Sequence, residues 1–182
     1  IAADIGPIDL PGPLSESGIA LARNGAGLVL ETIGERSDSG AWFHDLETGE
    51  NILVTRTPDG DPVDTLQPTE LVGFNQRDRA VVSDDGTAVV FRGDPARFGF
   101  GNPDEPFSRP EGSADLFVFD VPTRTVGLVA QPGTASTGGF VHISSSAQVV
   151  TGSGEVVVFL SSQQLNDDDT DDGVDLYAWG GP

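Results

Sequence analysis

Cysteine, methionine and lysine are all absent from the 182 residues. Without cysteine the chain has no disulfide framework, no thiolate nucleophile and no cysteine-ligated metal. No apolar run approaches the roughly 20 residues of a membrane-spanning helix, and apolar residues at helical spacing are missing as well. These absences exclude the disulfide-rich, thiol-dependent and helical membrane classes of protein.

Positive charge is also scarce, since 9 arginines stand against 29 acidic residues and the formal net charge is -20. A surface this acidic repels phosphate backbones and anionic lipid, so we expect neither nucleic acid nor a membrane as a partner. Cations and basic proteins are better candidates. The alternative is that the acidity serves solubility and implies no partner.

Turn-forming residues are what the chain has in abundance, with 24 glycines and 13 prolines. Its length suits one domain with a sizeable core, since domains commonly run to about 100–200 residues. Together with the missing helical periodicity, this composition predicts an all-β chain.

Three decapeptides superimpose, and each has glycine at its fifth position: Leu21–Leu30, Val82–Phe91 and Val150–Phe159. In each copy a β-prone segment leads into a polar turn, and a second apolar segment follows. Glycine tolerates the positive φ that such a turn needs. Each copy therefore predicts a β-hairpin.

A second apolar pattern follows each hairpin, at Ala41–Asp45, Leu116–Asp120 and Leu176–Gly180. In the first two copies a short turn then leads to a further strand, at 52–54 and at 127–129. Two consecutive hairpins form a four-stranded antiparallel sheet, whose two apolar faces are buried only by stacking on similar sheets. Radial stacking of such sheets is a propeller.

The second copy resembles the TolB-like, WD-repeat-like bacterial β-propeller repeat. The resemblance is carried by Ser83-Asp84-Asp85-Gly86 and by Asp115–Asp120. The first copy departs from the pattern at Arg23-Asn24 and at Ala41, and the third departs at Gly152-Ser153. The third copy also lacks the Asp and Thr-Gly ending. The resemblance implies a propeller-type array of about three four-stranded blades.

The predicted blades span about 18–58, 79–131 and 141–180, preceded by an extended segment over 1–17. Three blades do not close a ring, because propellers typically have four to eight. We therefore expect a larger ring, completed by self-association into about six blades or by blades on another chain. The extended segment is expected to supply the outer strand that the third blade lacks. A start at Ile1 without methionine favours a mature or excised piece of an exported, extracellular or periplasmic protein.

The longest connections fall on one rim of the array, where a rigid scaffold usually carries its binding residues. One of them carries a set of aromatic and arginine residues that is typical of interface hot spots: Arg97, Phe98, Phe100, Phe107 and Arg109. We predict that this set binds a protein partner. The alternative is that the rings fold back and cover the blade.

A run of acidic residues at 167–175 predicts a calcium site, with candidate ligands Asp167, Asp169, Asp171 and Asp175. Calcium takes six to eight oxygen ligands, and the first three aspartates have the alternating spacing of a calcium loop. The match is incomplete, since Asp172 stands where glycine is expected. The alternative is an Asx-type turn on a solvated loop.

No catalytic residue stands out. His44 and His142 lack any partner at metal-ligand spacing, and we expect His44 to be a strand residue with a hydrogen-bonded tip. The leading hypothesis is a non-catalytic binding or assembly module. The alternatives are the propeller portion of a larger hydrolase, lyase or peptidase with its catalytic residues elsewhere, and a self-assembling structural subunit.

Overall fold

The computed structural model describes residues 8–10, 13–32, 40–63, 80–93, 98, 115–130, 141–142, 155–161 and 175–180. Every regular element in these ranges is a β-strand. In chain order the strands are β1 (Leu14–Leu21), β2 (Gly27–Thr32), β3 (Gly40–Asp45), β4 (Asn51–Leu53), β5 (Val81–Val82), β6 (Ala88–Gly93), β7 (Asp115–Asp120), β8 (Thr125–Ala130), β9 (Val141–His142), β10 (Val156–Ser161) and β11 (Asp175–Gly180).

The strands form three antiparallel sheets, each made of strands that follow one another along the chain. Sheet 1 has the order β1-β2-β3-β4, sheet 2 has the order β5-β6-β7-β8, and sheet 3 has the order β9-β10-β11. This architecture confirms the prediction of an all-β array of propeller-type blades with four-stranded antiparallel sheets.

In sheets 1 and 2, the turn of the first hairpin contains the glycine at the fifth position of the repeated decapeptide. Gly25 and Gly86 have φ of 76° and 75°, a region that side chains with a Cβ rarely enter. Neighbouring polar side chains close both turns, because Asn24 Oδ1 accepts from the Ala26 amide and Asp85 Oδ1 accepts from the Thr87 amide. The polar turn of the repeat is thus a local hydrogen-bonding unit.

The second hairpin begins at an aspartate in both sheets. Asp45 Oδ1 accepts from the Glu47 and Thr48 amides at 2.8 and 2.9 Å, and Asp120 Oδ1 accepts from the Thr123 amide at 2.7 Å. Such Asx turns supply their own acceptor to the reversing backbone. The aligned position of sheet 3 is Gly180, which has no side chain to begin this turn.

Both hairpin turns of a sheet lie on the same rim. The Leu46 amide donates to the Ala26 carbonyl in sheet 1, and the Val121 amide donates to the Thr87 carbonyl in sheet 2. Since adjacent strands run antiparallel, the other ends of these strands lie at the opposite rim. The long connections that were predicted for that rim lie outside the described residues.

Each sheet has two faces. The forward face of sheets 1 and 2 is the one that packs on the next sheet along the chain, and the opposite face is the rear face. In sheet 3 the face that packs on sheet 2 is the rear face, and the opposite face is the forward face. Sheet 1 packs its forward face on the rear face of sheet 2, and the two faces share one core. The forward face contributes Ala22, Val29, Ala41, Phe43 and Ile52, and the rear face contributes Val82, Val89, Phe91, Phe117, Phe119 and Val126.

A second core joins the forward face of sheet 2 to the rear face of sheet 3. The forward face contributes Val81, Val90, Leu116, Val118 and Val129, and the rear face contributes Val157, Phe159, Tyr177 and Trp179. Successive residues of β6 and β7 therefore alternate between the two cores, as the period of two along a strand requires. Sheet 2 is buried on both faces.

The ends of the array differ in detail from the sequence-based boundaries. Strand β1 begins at Leu14, inside the segment assigned to the extended N-terminus, and β9 pairs with the far end of β10 through Leu160↔His142 and Ser161↔Val141. The turn expected at Gly152-Ser153-Gly154 lies outside the described residues. The division at 18–58, 79–131 and 141–180 stays a prediction, as does the larger ring.

Candidate functional site

The forward face of sheet 3 is an apolar surface with no further sheet on it among the described residues. It consists of alternate residues of β10 and β11: Val156, Val158, Leu160, Leu176 and Ala178. Leu176 is 70% exposed, Ala178 is exposed, and the three residues of β10 are half-buried. Exposed apolar strips of this kind often mark surfaces that bind another protein.

The repeat makes the exposure of Leu176 unusual. Its counterparts in sheets 2 and 1 are Leu116 and Ala41, which are 0% and 5% exposed because the next sheet covers them. The same holds on the neighbouring strand, where Val158 is half-buried while its counterpart Val90 is buried. Sheet 3 therefore presents a blade-type packing face without its neighbour.

The rear face of sheet 1 is the other end of the stack. Ile19 and Leu21 on β1 are 62% and 61% exposed and Leu28 on β2 is half-buried, whereas Leu30 on the same face of β2 is buried. Together with Leu176, these two residues are the large hydrophobic side chains that are exposed in the described ranges. All three lie on the two end faces, which we call the open faces.

Part of the rear face of sheet 1 is covered, from Leu30 on β2 to the outer strand β4, and the exposed part is the side of β1. His44 is buried, and its Nδ1 lies 2.7 Å from Asn51 Oδ1, while Asn51 Nδ2 donates to the Asp9 carbonyl at 2.8 Å. Because a carbonyl only accepts, the amide of Asn51 turns its oxygen to His44, and Nδ1 of His44 carries the proton. The prediction of a strand histidine with a hydrogen-bonded tip is confirmed.

Two other polar side chains of sheet 1 support the same face. Trp42 Nε1 donates to Thr32 Oγ1 at 3.1 Å, and Thr55 Oγ1 accepts from the Ala41 amide at 3.2 Å. Both threonine side chains are buried, so these bonds satisfy groups that would be costly to leave unpaired. They hold β3 in place between the two faces.

On the hairpin rim a set of polar contacts fastens sheet 1 to sheet 2. The Asn24 amide donates to the Asp84 carbonyl at 2.9 Å, and Asn24 Nδ2 donates to the Asp85 carbonyl at 3.0 Å. Arg23 adds an ion pair with Asp84 at 3.5 Å, in which both side chains are largely exposed. The backbone bonds thus set the register of one sheet on the next, while the ion pair adds little.

Farther out, two arginines cross the same interface. Arg56 donates from Nε to the Leu53 carbonyl at 2.7 Å and lies over the Phe119 ring at 5.0 Å from its centroid. Arg124 pairs with Glu50 at 2.8 Å. Burial, and then the charge of Arg124, lower the pKa of Arg56, which Glu50 partly offsets. These contacts bind the outer strands of sheets 1 and 2 together.

Local hydrogen bonds lower the pKa of two turn carboxylates, Asp45 and Asp85. Bonds from the Thr48 backbone, and also from Glu47, lower the pKa of Asp45 although partial burial raises it. Burial raises the pKa of Asp85 as well, but the bonds donated by Thr87 and Ser83 outweigh it, so the net pKa lies below its ordinary value. Both groups are ionised acceptors with structural roles, not poised acids.

Of the predicted partner-binding set, the structure describes Phe98. Phe98 is fully buried and lies 5.4 Å from the Phe91 ring and 4.8 Å from the Phe117 ring. For this residue the structure matches the alternative in which the rings cover the blade, so Phe98 offers no surface to a partner. Arg97, Phe100, Phe107 and Arg109 lie outside the described residues, and their role stays a prediction.

The predicted calcium ligands are described only at Asp175, which is exposed at the start of β11 opposite Ser161. Asp167, Asp169 and Asp171 lie outside the described residues. Within the described ranges, no three His, Asp or Glu side chains converge as a metal centre requires. His142 is the last residue of β9 and pairs with Leu160 of β10.

Sequence reasoning expected an array that does not close on itself, but it did not identify the residues that its open faces expose. Ile19, Leu21 and Leu176 were not singled out, because their repeat counterparts in sheet 2, Ala80, Val82 and Leu116, have the apolar character of core residues and are buried. The signal in the sequence is the number of copies, since among the described sheets each of the two end sheets has a neighbour on one face alone. In the described part of the chain, no helix has the length and apolarity needed to cross a bilayer.

No family model and no curated protein matches the chain. Among solved structures it is similar to TolB from Acinetobacter baumannii, with 13% identity and a TM-score of 0.45, over 93% of this chain and 30% of that one. A putative TolB from Agrobacterium tumefaciens matches at 17% identity and a TM-score of 0.42, over 89% of this chain and 49% of that one.

An oligogalacturonate lyase in complex with manganese matches at 17% identity and a TM-score of 0.46, over 98% of this chain and 38% of that one. This chain thus spans less than half the length of each of these three structures. Two of the three are TolB structures, the family whose repeat the sequence resembles. The likeness concerns the fold alone.

Proposed function

We propose that this chain is a non-catalytic assembly and protein-binding module that takes a further β-sheet against the forward face of sheet 3. The observation that carries the proposal is the position of the exposed large hydrophobic residues in the described ranges. Ile19, Leu21 and Leu176 all lie on the two open faces, where the repeat elsewhere places a neighbouring sheet.

The chemistry of the forward face suits a sheet as its partner. Its five apolar side chains project from the same face of two adjacent strands, at alternate residues along each strand. They form an apolar strip of the kind that stacked sheets bury against each other. Burying a leucine such as Leu176 contributes about 1.5–3 kcal/mol, and several residues of this kind are enough for a specific contact. An extended peptide would cover less of this strip than a second sheet.

Four of the described polar side chains are held by local hydrogen bonds. Asp45, Asp85 and Asp120 each accept hydrogen bonds within a turn, and His44 is held by Asn51. The described residues therefore support binding better than catalysis, and this supports the non-catalytic form of the proposal.

Three finer features belong to the proposal as well. The long-loop rim, with Arg97, Phe100, Phe107 and Arg109, is proposed as a second contact surface. Calcium is proposed to bind at the aspartate run before β11.

Export is proposed on the resemblance of the repeat, and fractionation of the producing cells tests it, with a cytosolic location as the contrary outcome.

Capture of partners on immobilised protein tests the proposed surface. The Leu176→Glu variant places a charge in the middle of the forward face, while Pro122→Glu places the same charge on an exposed hairpin turn of sheet 2. We expect a defined protein that is retained by the wild type and by Pro122→Glu to be lost from Leu176→Glu. If both variants retain the same proteins as the wild type, the forward face is not the binding surface.

A further inference from the structure

We infer that the forward face of sheet 3 binds the rear face of sheet 1 in a second copy of this chain, so that two copies close head to tail. The inference rests on the proposed function and names its partner. Three observations lead to it: the conserved identity of the faces along the repeat, the order of the sheets, and the state of two equivalent glycines.

The repeat preserves which residues face forward and which face rearward. Val29, Val90 and Val158 occupy one repeat position on the second strand, and each lies on the forward face of its sheet. The preceding position lies on the rear face in every sheet: Leu28, Val89 and Val157. Because side chains alternate along a strand, this register applies to the whole face.

Both internal interfaces join a forward face to a rear face. Sheet 1 packs forward on the rear of sheet 2, and sheet 2 packs forward on the rear of sheet 3. The two open faces are the remaining forward face and the remaining rear face. The pair is therefore complementary in the same sense as the two interfaces already present, and a third interface of the same kind continues the series.

The three described sheets do not make that third interface among themselves. They are fewer than the four of the smallest typical propeller, and sheet 2 lies between the other two, so the open faces of sheets 1 and 3 do not meet each other. A second copy supplies both missing surfaces at once. Two copies together have six sheets, which is within the four to eight blades of a closed propeller.

The first hairpin turns show the rear face of sheet 1 in its uncovered state. Gly25 and Gly86 occupy the same repeat position with nearly the same φ. A Cβ placed on Gly86 would lie 3.0 Å from Ala26 Cβ and 3.6 Å from Ala22 Cβ, both in the preceding sheet. A Cβ placed on Gly25 would meet nothing within 4 Å. The preceding sheet that packs on Gly86 is the one that Gly25 lacks.

Charge gives the contact a recognisable salt dependence. Each copy has a formal net charge of -20, so two copies repel each other at long range. Screening shortens that repulsion to about 8 Å at 0.15 M salt and about 3 Å at 1 M, while the apolar contact is not weakened. Association is therefore expected to strengthen with added salt, the opposite of an interface built on ion pairs.

Light scattering on the full chain measures the assembly directly. We expect a mass of about twice 18.9 kDa, with the fraction of dimer rising between about 0.05 and 1 M salt. Leu176→Glu and Leu21→Glu are each expected to shift the chain to monomer, and Pro122→Glu is expected to leave the dimer intact. Circular dichroism checks that all variants keep the β-sheet signal.

Cross-linking tests the head-to-tail arrangement, and the cysteine-free chain provides a clean background. Leu28→Cys places one thiol on the rear face of sheet 1, and Val158→Cys places one on the forward face of sheet 3. With a short bismaleimide, we expect a mixture of the two variants to cross-link at least tenfold more than either variant alone. Pro122→Cys in place of Val158→Cys is the matched control and is expected not to react above background.

Cross-links that form equally well in each variant alone would indicate a symmetric contact between identical faces and overturn the head-to-tail inference. A chain that stays monomeric at every salt concentration overturns the second copy as the partner. In that case the proposed function still stands if Leu176→Glu loses a captured protein that Pro122→Glu retains. The two ideas therefore fail on different measurements.

Discussion

Sheets 2 and 3 have the same repeat, yet the same position in it is buried in one sheet and exposed in the other. Leu116 is 0% exposed and Leu176 is 70% exposed, although both lie at the second residue of the third strand. The difference does not lie in the residue, which is leucine in both. It lies in whether another sheet follows, so the burial of a blade is a property of its neighbours.

The turns make the same comparison in polar terms. Sheets 1 and 2 pass from third to fourth strand through Asp45 and Asp120, whose side chains cap the reversing backbone. Sheet 3 has Gly180 at this point, and its Cβ position has nothing within 4 Å. A repeat can therefore keep its apolar pattern while it lacks the aspartate that begins this turn in the other two sheets.

The largest expected effect compares the two leucines. Leu116→Ala is expected to lower the free energy of unfolding by about 2–5 kcal/mol, because it leaves a cavity between sheets 2 and 3. Leu176→Ala is expected to change it by less than about 0.5 kcal/mol in the monomer, since it removes exposed atoms. Urea denaturation measures both. Equal losses would mean that Leu176 is buried in the folded chain.

A second comparison uses the two turn glycines. Alanine is strained at φ near 75°, which costs on the order of 1 kcal/mol at both positions. Gly86→Ala also presses on Ala26, and overpacking of this kind adds about 1–3 kcal/mol. Thermal unfolding of monomeric protein is expected to rank Gly86→Ala well below Gly25→Ala. The same stability for both variants would contradict the close packing of sheet 1 on the Gly86 turn.

The third prediction concerns the turn aspartate that sheet 3 lacks. The Thr48 and Glu47 backbone bonds hold the pKa of Asp45 below its ordinary value of 3.8, so the unfolded chain binds more protons at acid pH. The stability contributed by Asp45 is therefore present above about pH 4 and lost as the pH falls through the folded pKa.

Asp45→Asn tests this, because asparagine keeps the acceptor oxygen without the charge. The gap in unfolding free energy between wild type and Asp45→Asn is expected to be largest above about pH 4 and to close at lower pH. Chemical denaturation over a pH series measures the gap. A gap that does not change with pH argues against a charge-dependent turn.

The smallest expected effect is at the outer contact of sheets 1 and 2. Arg124→Gln removes the 2.8 Å ion pair with Glu50, in which both side chains are about half exposed. Such pairs contribute about 0.2–1 kcal/mol and are screened by salt. We expect the destabilisation to fall toward zero at about 1 M salt. A loss that persists in high salt would assign Arg124 a packing role instead.

Several residues show how far sequence reasoning reached into the site. The hairpin turns at Gly25 and Gly86 and the strand position of His44 were predictable, since each depends on neighbours within a few residues or on strand alternation. Phe98 was not, because its aromatic and arginine neighbours in sequence are equally typical of a binding loop and of a lid. Only its packing against Phe91 and Phe117 separates the two.

The open faces are the part of the candidate site that no local pattern defines. The repeat pattern predicts core positions for four residues of the open faces: Leu21, Leu28, Val158 and Leu176. In a sheet that another sheet covers, these positions are buried. Their exposure follows from the order in which the sheets stack, which places sheet 2 between the other two. Side-chain alternation along a strand predicts which face of the sheet a residue lies on, but it does not predict whether another sheet packs on that face.

By itself, the sequence determined the class, the repeat, the hairpins and the alternation of apolar residues, because turn chemistry and strand periodicity act over a few residues. The tertiary structure alone decided which faces are covered, which aromatic ring is core and where the array is left open. Those outcomes depend on contacts between strands and sheets that are not adjacent in sequence, such as the Ala80 amide on Glu31, whose separation is 49 residues. Such contacts are fixed by how whole sheets pack, and no single segment encodes them.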